Sequence, residues 1–204
     1  MNSRSPSGQT VVEPVRGRPR SKEAHQAILQ AALQQVLDLG FRAVSIESIA
    51  AKAGVGKTTV YRRWPNKATV VMDAFLQEIG PVIQFPATVS APESIRLQMR
   101  ALARAYRGRF GALIKAIMGE LQFDPELAEA FRGRWIRPRR QLARATFEAG
   151  MRNGELRPDL DIDTAIDALY GGIYYRVQTG SGPLNDAYVD ELFHHVMHGL
   201  RQPR

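Results

Sequence analysis

Cysteine is absent from the 204 residues, which removes disulfides, thiolate nucleophiles and cysteine-ligated zinc together. No run of about 18 apolar residues occurs, so no segment is expected to span a membrane. The first residues carry no apolar stretch of the secretory kind, and a cytoplasmic location is expected. Convincing strand alternation is also missing: residues 82–89, with Pro81 and Pro86, read as loop. No Ser/His/Asp arrangement and no paired-carboxylate motif is found, so neither catalysis nor a cofactor is expected.

What is present is helix-forming sequence with an uneven charge. Residues 1–70 hold 11 Lys/Arg against 4 Asp/Glu, whereas residues 71–204 hold 17 against 16. Nearly all of the formal net charge of +8 therefore sits in the first third. A polyanionic partner for that third is one reading, and a basic tail that aids solubility is the other. Hydrophobic residues make up 44% of the chain, so a core can form, and the length suits one medium domain or a small head plus a larger body.

Residues 1–15 are rich in Ser, Pro, Gly, Gln and Thr and read as disordered. Arg16-Gly17-Arg18-Pro19-Arg20 follows as a basic arm. Ser21 is the expected N-cap of a first helix whose apolar face is Ile28, Leu29, Ala32, Leu33, Val36 and Leu39, closed by Gly40. Ser45 caps a second, short helix with Ile46, Ile49 and Ala50. After Gly54 a third helix is expected over 56–64, ended by Pro65, and Asn66 caps a fourth. Further helices are expected near 93–107, 109–121, 125–151, 163–179 and 186–201, with Pro138 kinking or splitting the third of these. The fold class is all-α.

The stretch from Ser45 to Trp64 has the pattern of a helix-turn-helix. Ile49, Ala50, Val55, Val60 and Trp64 can pack two helices across a turn that small Ala53 and Gly54 permit. Lys57, Thr58, Thr59, Tyr61, Arg62 and Arg63 then crowd the second of these helices. They are suited to guanine edges, thymine methyls and phosphates in a major groove. Lys67, in the first turn of the next helix, could share a phosphate with free backbone amides.

These residues carry a resemblance. Phe41 to Ala50, then Ala53-Gly54-Val55-Gly56-Lys57-Thr58-Thr59-Val60-Tyr61, then Pro65-Asn66-Lys67, resemble the DNA-binding head of the TetR/AcrR family. Trp64 departs from the pattern, which usually has Phe there. The resemblance implies that Ser45 touches phosphate, Lys57 and Thr58 read bases, and Thr59 and Tyr61 grip the backbone. Arg63 falls at a position that often contacts DNA, and Lys67 at a phosphate-binding lysine. Arg18 and Arg20 lie in a segment resembling minor-groove arms; a tail with generic phosphate attraction is the other reading. The division implied is an arm over 1–20, a DNA-binding head over 21–67, and a ligand-binding and dimerisation body over 68–204.

Three other motifs are weighed against this reading. Residues 51–58 nearly match a phosphate-binding loop, but a helix rather than a strand precedes them. His194 and His198 are one turn apart and could share a metal, yet no carboxylate completes a site, and a solvated or interface-lining pair is favoured. Asp159, Asp161 and Asp163 mimic a calcium loop, but Thr164 and Tyr170 occupy its glycine and closing positions, so a helix N-terminus is the reading taken.

For the body the resemblance implies architecture and not a ligand. Tyr170, Ile173 and Tyr174 of the penultimate helix and Val189, Phe193 and Val196 of the last are expected at a homodimer interface; a buried intrachain pair is the alternative. Gly171 and Gly172 suggest close helix approach. Phe75, Phe110, Met118, Phe123 and Trp135, with Leu121 and Phe131, are candidates for an apolar ligand pocket, ordinary core being the reading favoured for most of them singly. The function expected is a homodimeric repressor released from a palindromic double-stranded DNA operator by an unknown small-molecule inducer. A non-inducible or architectural DNA-binding protein is the alternative.

Overall fold

A computed structural model of the chain describes residues 19–80 and 83–200. Ten α-helices form among them and no strand: α1 (Pro19–Leu39), α2 (Ile46–Lys52), α3 (Lys57–Tyr61), α4 (Lys67–Ile79), α5 (Ala91–Arg107), α6 (Arg109–Glu120), α7 (Pro125–Phe131), α8 (Arg137–Arg152), α9 (Ile162–Thr179) and α10 (Asp186–Leu200). The arm over 1–18, with Arg18, lies outside the described residues. α1 begins at Pro19, two residues before the expected cap at Ser21, so Arg20 belongs to helical backbone and not to an extended arm. Proline is at home in a first turn, where its missing N–H costs nothing.

The turns follow the expected chemistry. Gly40, at φ 77°, closes α1, and its N–H donates to the Val36 carbonyl. The Ser45 hydroxyl accepts from the Ser48 N–H, while the Ser48 hydroxyl accepts from the Ser45 N–H, a reciprocal box at the start of α2. The Asn66 side chain caps α4 through the Thr69 N–H.

α1 packs on α2, α4 and α6, and α4 carries the chain from the head into the body. The division expected between 67 and 68 thus falls in the first turn of a helix. One buried cluster runs through both parts, from Ile28, Val36 and Ile49 through Phe75 and Met99 to Phe147, Ile173 and Met197. α5 carries Arg96, Arg100, Arg104 and Arg107, which pair with Asp186 and Asp190 on α10. These arginines hold both carboxylates below their usual pKa, chiefly through the hydrogen bonds from Arg104 and Arg100.

The helix expected over 125–151 with a kink or split at Pro138 is α7 and α8, joined by a π-helical turn, Arg132–Ile136. Pro138 explains it. Its ring nitrogen has no proton and its ring would strike the carbonyl four residues back, so the chain widens just before it.

Candidate nucleic-acid interface

α2 and α3 meet across the turn at Gly54, whose φ of 66° is the left-handed conformation that favours glycine. The N–H groups of Gly54 and Val55 close α2 by donating to the carbonyls of Ala51 and Ala50. Val60 is fully buried and Trp64 nearly so, which fixes the inner side of α3. α2 is itself fixed to α1. Buried Gln35 donates to the Ser48 carbonyl at 2.8 Å and accepts from the Ser48 hydroxyl at 2.7 Å.

With one side of α3 buried, the other is left to solvent. Lys57, Thr58, Tyr61 and Arg62 are exposed and Thr59 is half-exposed, so the residues expected to touch DNA share one open face. The Tyr61 hydroxyl reaches Glu47 of α2 at 3.5 Å. Arg63 and Lys67 are engaged within the protein as well. Arg63 donates to the Ser21 hydroxyl at 2.6 Å and to the Ser21 carbonyl at 3.1 Å, tying the end of the motif to α1. The Lys67 ammonium donates to the carbonyls of Phe41 and Arg42 at 3.0 and 3.3 Å and sits over the Phe41 ring at 4.5 Å. An ammonium has three protons, so one remains for a phosphate. Ser45 is half-buried as the cap of α2.

The family model described as bacterial regulatory proteins, tetR family, matches residues 28–73, and that described as tetracyclin repressor-like, C-terminal domain, matches residues 85–196. The chain belongs to the TetR family of transcriptional regulators. It is 41% identical over 186 residues to the HTH-type transcriptional regulator YdeS of Bacillus subtilis, covering 91% of this chain and 94% of that one. It is 29% identical over 188 residues to the DNA-binding transcriptional repressor TetR of Mycobacteroides abscessus, covering 90% and 97%. The solved structure of the TetR family transcription regulator SCO0332 superposes with a TM-score of 0.73 at 29% identity, covering 88% of this chain and all of that one.

The body of this TetR-family chain departs from several expectations. Phe75 and Trp135 are packed edge to face at 4.9 Å in the core, and Phe131 is also buried. Phe110, Met118 and Leu121 lie half-buried against the same cluster. Phe123 is exposed and lies under the Arg42 guanidinium at 4.9 Å. None of these lines the cavity enclosed within the body: their bulk fills space and leaves none. That cavity, about 360 Å³, lies between α5, α8 and α9, with Leu102, Ile136, Ala143 and Ile166 among its apolar walls. Its polar groups are Gln98, Arg139, Tyr170 and Tyr174, with Arg140 and Asp167 at one side. A signal for it did exist in the sequence. Gln98 falls on the buried stripe of α5 with Ile95, Met99 and Leu102, and a polar residue on an apolar face has a reason to be there.

The expected dimer residues also point inward. Ile173 and Val189 are fully buried and Phe193 nearly so, Val196 is half-buried against the core, and Tyr170 and Tyr174 serve the cavity. The apolar stripes of α9 and α10 are spent closing the protomer's own core. The close approach expected at the glycine pair is found at one of the two. A Cβ on Gly172 would stand 2.6 Å from the Tyr188 hydroxyl and 2.9 Å from Leu192 of α10, whereas Gly171 has open space. His194, His195 and His198 are exposed, with rings about 6 Å apart, and no cluster of metal-ligating residues forms among the described residues. No described helix is long and apolar enough to cross a membrane.

Proposed function

We propose that this regulator is a homodimeric repressor that grips a palindromic operator with two copies of α3 and is released by a small molecule bound in the body. In this reading residues 21–67 read the DNA and residues 68–204 bind ligand and partner. The observation that carries it is the open face of Lys57, Thr58, Thr59, Tyr61 and Arg62 on a helix whose opposite side is anchored by Val60 and Trp64. Lys57 and Thr58 reach base edges, while Ser45, Thr59, Tyr61, Arg63 and Lys67 hold phosphates and set the register.

One short helix reads few base pairs, so a two-fold partner is needed for a specific site. The outward side of α9 suits it. Thr164, Ala168, Gly171, Tyr175 and Gln178 recur at helical spacing, uncharged and exposed, and Tyr175 is 60% accessible. A ligand route to the head also has physical parts. Trp64 donates to Asp73 at 2.7 Å, Asp73 pairs with Arg134, and Arg134 precedes Trp135 and Ile136, the latter a wall of the cavity.

Selection of bound sites from random DNA, followed by sedimentation with the selected duplex, tests the reading. The expected result is one palindrome bound by two protomers. Weak sequence preference with affinity set mainly by salt would favour an architectural DNA-binding protein instead. A monomer that binds the selected site tightly would remove the dimer.

A further inference from the structure

Three polar groups on the cavity wall keep donor hydrogens that no acceptor among the described residues takes up. Gln98 is fully buried; its Oε1 accepts from the Tyr170 hydroxyl at 2.5 Å, and its Nε2 has no partner among the described residues. Turned over, the amide would leave its oxygen without a donor and the Tyr170 O–H without an acceptor, so the orientation shown is the one that leaves fewer groups unmet. Tyr174 accepts from the Trp135 indole N–H at 3.0 Å and from the Tyr106 hydroxyl at 3.5 Å, which leaves its own O–H without an acceptor among the described residues. Arg139 is half-buried, donates once to the Ile83 carbonyl at 3.0 Å and lies over the Trp135 ring at 4.7 Å.

The contrast among the arginines is the deciding point. Arg140, one residue on, is paired with Asp163 and Asp167, and Arg144 with Asp163. Arg139 forms no ion pair with any described carboxylate, although burial weakens its hold on its proton. A guanidinium taken from water without a counter-charge is costly, as is a buried amide N–H with no acceptor. Asp167, the carboxylate among the cavity's lining residues, is already paired with Arg140.

We infer that the cavity takes a small apolar monocarboxylate, its hydrocarbon part against Leu102, Ile136, Ala143 and Ile166 and its carboxylate on Arg139, Gln98 and Tyr174. A carboxylate supplies acceptor sites for all three donors, and the planar guanidinium fork fits it with two parallel hydrogen bonds. A single positive charge matches a monoanion; a phosphate dianion would leave one charge over in an apolar site. The cavity's volume is at the low end of the range for small-molecule sites, which limits the ligand to a compact acid. This inference rests on the reading of the body as a ligand-binding domain and names the ligand class for it.

Calorimetric titration of the full chain with straight-chain acids from butyrate to decanoate, phenylacetate, and the primary alcohol of each, provides the test. At least one acid is expected to bind about tenfold or more tightly than its alcohol. In Arg139→Gln that preference should fall to within about threefold of unity while the alcohol's affinity holds. Arg139 also supports Ile83, so Tyr174→Phe, which keeps the ring, gives a second readout: the preference should narrow by several-fold. Equal binding of acid and alcohol by the native chain, or an unchanged preference in a folded Arg139→Gln, overturns the assignment. So does an octyl phosphate that binds more tightly than octanoate. Alcohols that bind where no acid does would leave a ligand domain standing and refute only its charge. Binding of neither series would bring down both readings.

Discussion

Trp64→Phe exchanges the residue in which this chain differs from its family's usual pattern, and the structure gives that exchange a cost. The indole N–H donates to Asp73 at 2.7 Å, and the ring is 2% accessible, stacked on His25 at 5.1 Å. Phenylalanine removes the donor. A hydrogen bond to a charged acceptor contributes about 1.5–3 kcal/mol. Asp73 is 31% exposed and keeps Arg134, so the low end applies. The smaller ring also gives up buried hydrocarbon, worth about 0.8 kcal/mol per methylene-sized group. A total of about 2–3 kcal/mol follows, or roughly 4–12 °C in Tm for a chain of this size. Urea and thermal unfolding of Trp64→Phe, Asp73→Asn and the double variant measure it, and the cycle should show the two losses to be less than additive. If Trp64→Phe unfolds within about 0.5 kcal/mol of the native chain, the bond to Asp73 carries no net energy and the reasoning fails.

Other outcomes follow from the same geometry. Lys57→Ala should weaken binding to the selected operator by about 1–3 kcal/mol in fluorescence anisotropy while changing random-DNA binding far less; equal losses on both would move the lysine from the bases to the phosphates. Gly111→Ala should destabilise by more than about 2 kcal/mol, because its Cβ would stand 2.1 Å from the Tyr106 carbonyl oxygen, whereas Gly119→Ala in the same helix has open space and should be neutral or stabilising by up to about 1 kcal/mol. Circular dichroism melts of the pair compare the two directly. Tyr106, Tyr170 and Tyr174 are pushed above the usual phenol pKa, mainly by burial. Their raised values make the folded state hold protons that the unfolded chain releases. Their contribution is therefore complete below about pH 10 and is lost as pH rises toward the folded values. Ultraviolet titration should show these three phenols ionising only as the fold is lost; ionisation in a folded chain at an ordinary phenol pKa would contradict their burial.

The head was legible from sequence because its rules are local. Ser45, Gly54 and Asn66 do at close range what caps and turns require, and the apolar set of α1 leaves the polar set of α3 outside. The body was less legible because its decisive features are relations between distant helices. Nothing near Phe75 or Trp135 in the chain tells whether an aromatic ring fills space or borders it. Arg139 and Arg140 are neighbours of one type, and only the positions of Asp163 and Asp167 make one paired and the other not. The residues expected at the dimer interface are buried within the protomer for the same reason: the periodicity of α9 and α10 marks an apolar side, and the rest of the chain decides what covers it.

The wide turn at Arg132–Ile136 has a geometric consequence. Leu127, Phe131, Trp135, Arg139, Ala143 and Phe147, all buried or half-buried, recur every fourth residue. A regular helix repeats every 3.6, so such a row would drift by roughly 40° at each step and wind around to the far side within five steps. One residue of slack in the middle resets the phase, and the row stays aligned over both halves. Winding the same residues as regular helix, without that slack, would rotate everything downstream by roughly 100° and swing the arginine out of its chamber, although every side chain in the row would remain in place in the sequence.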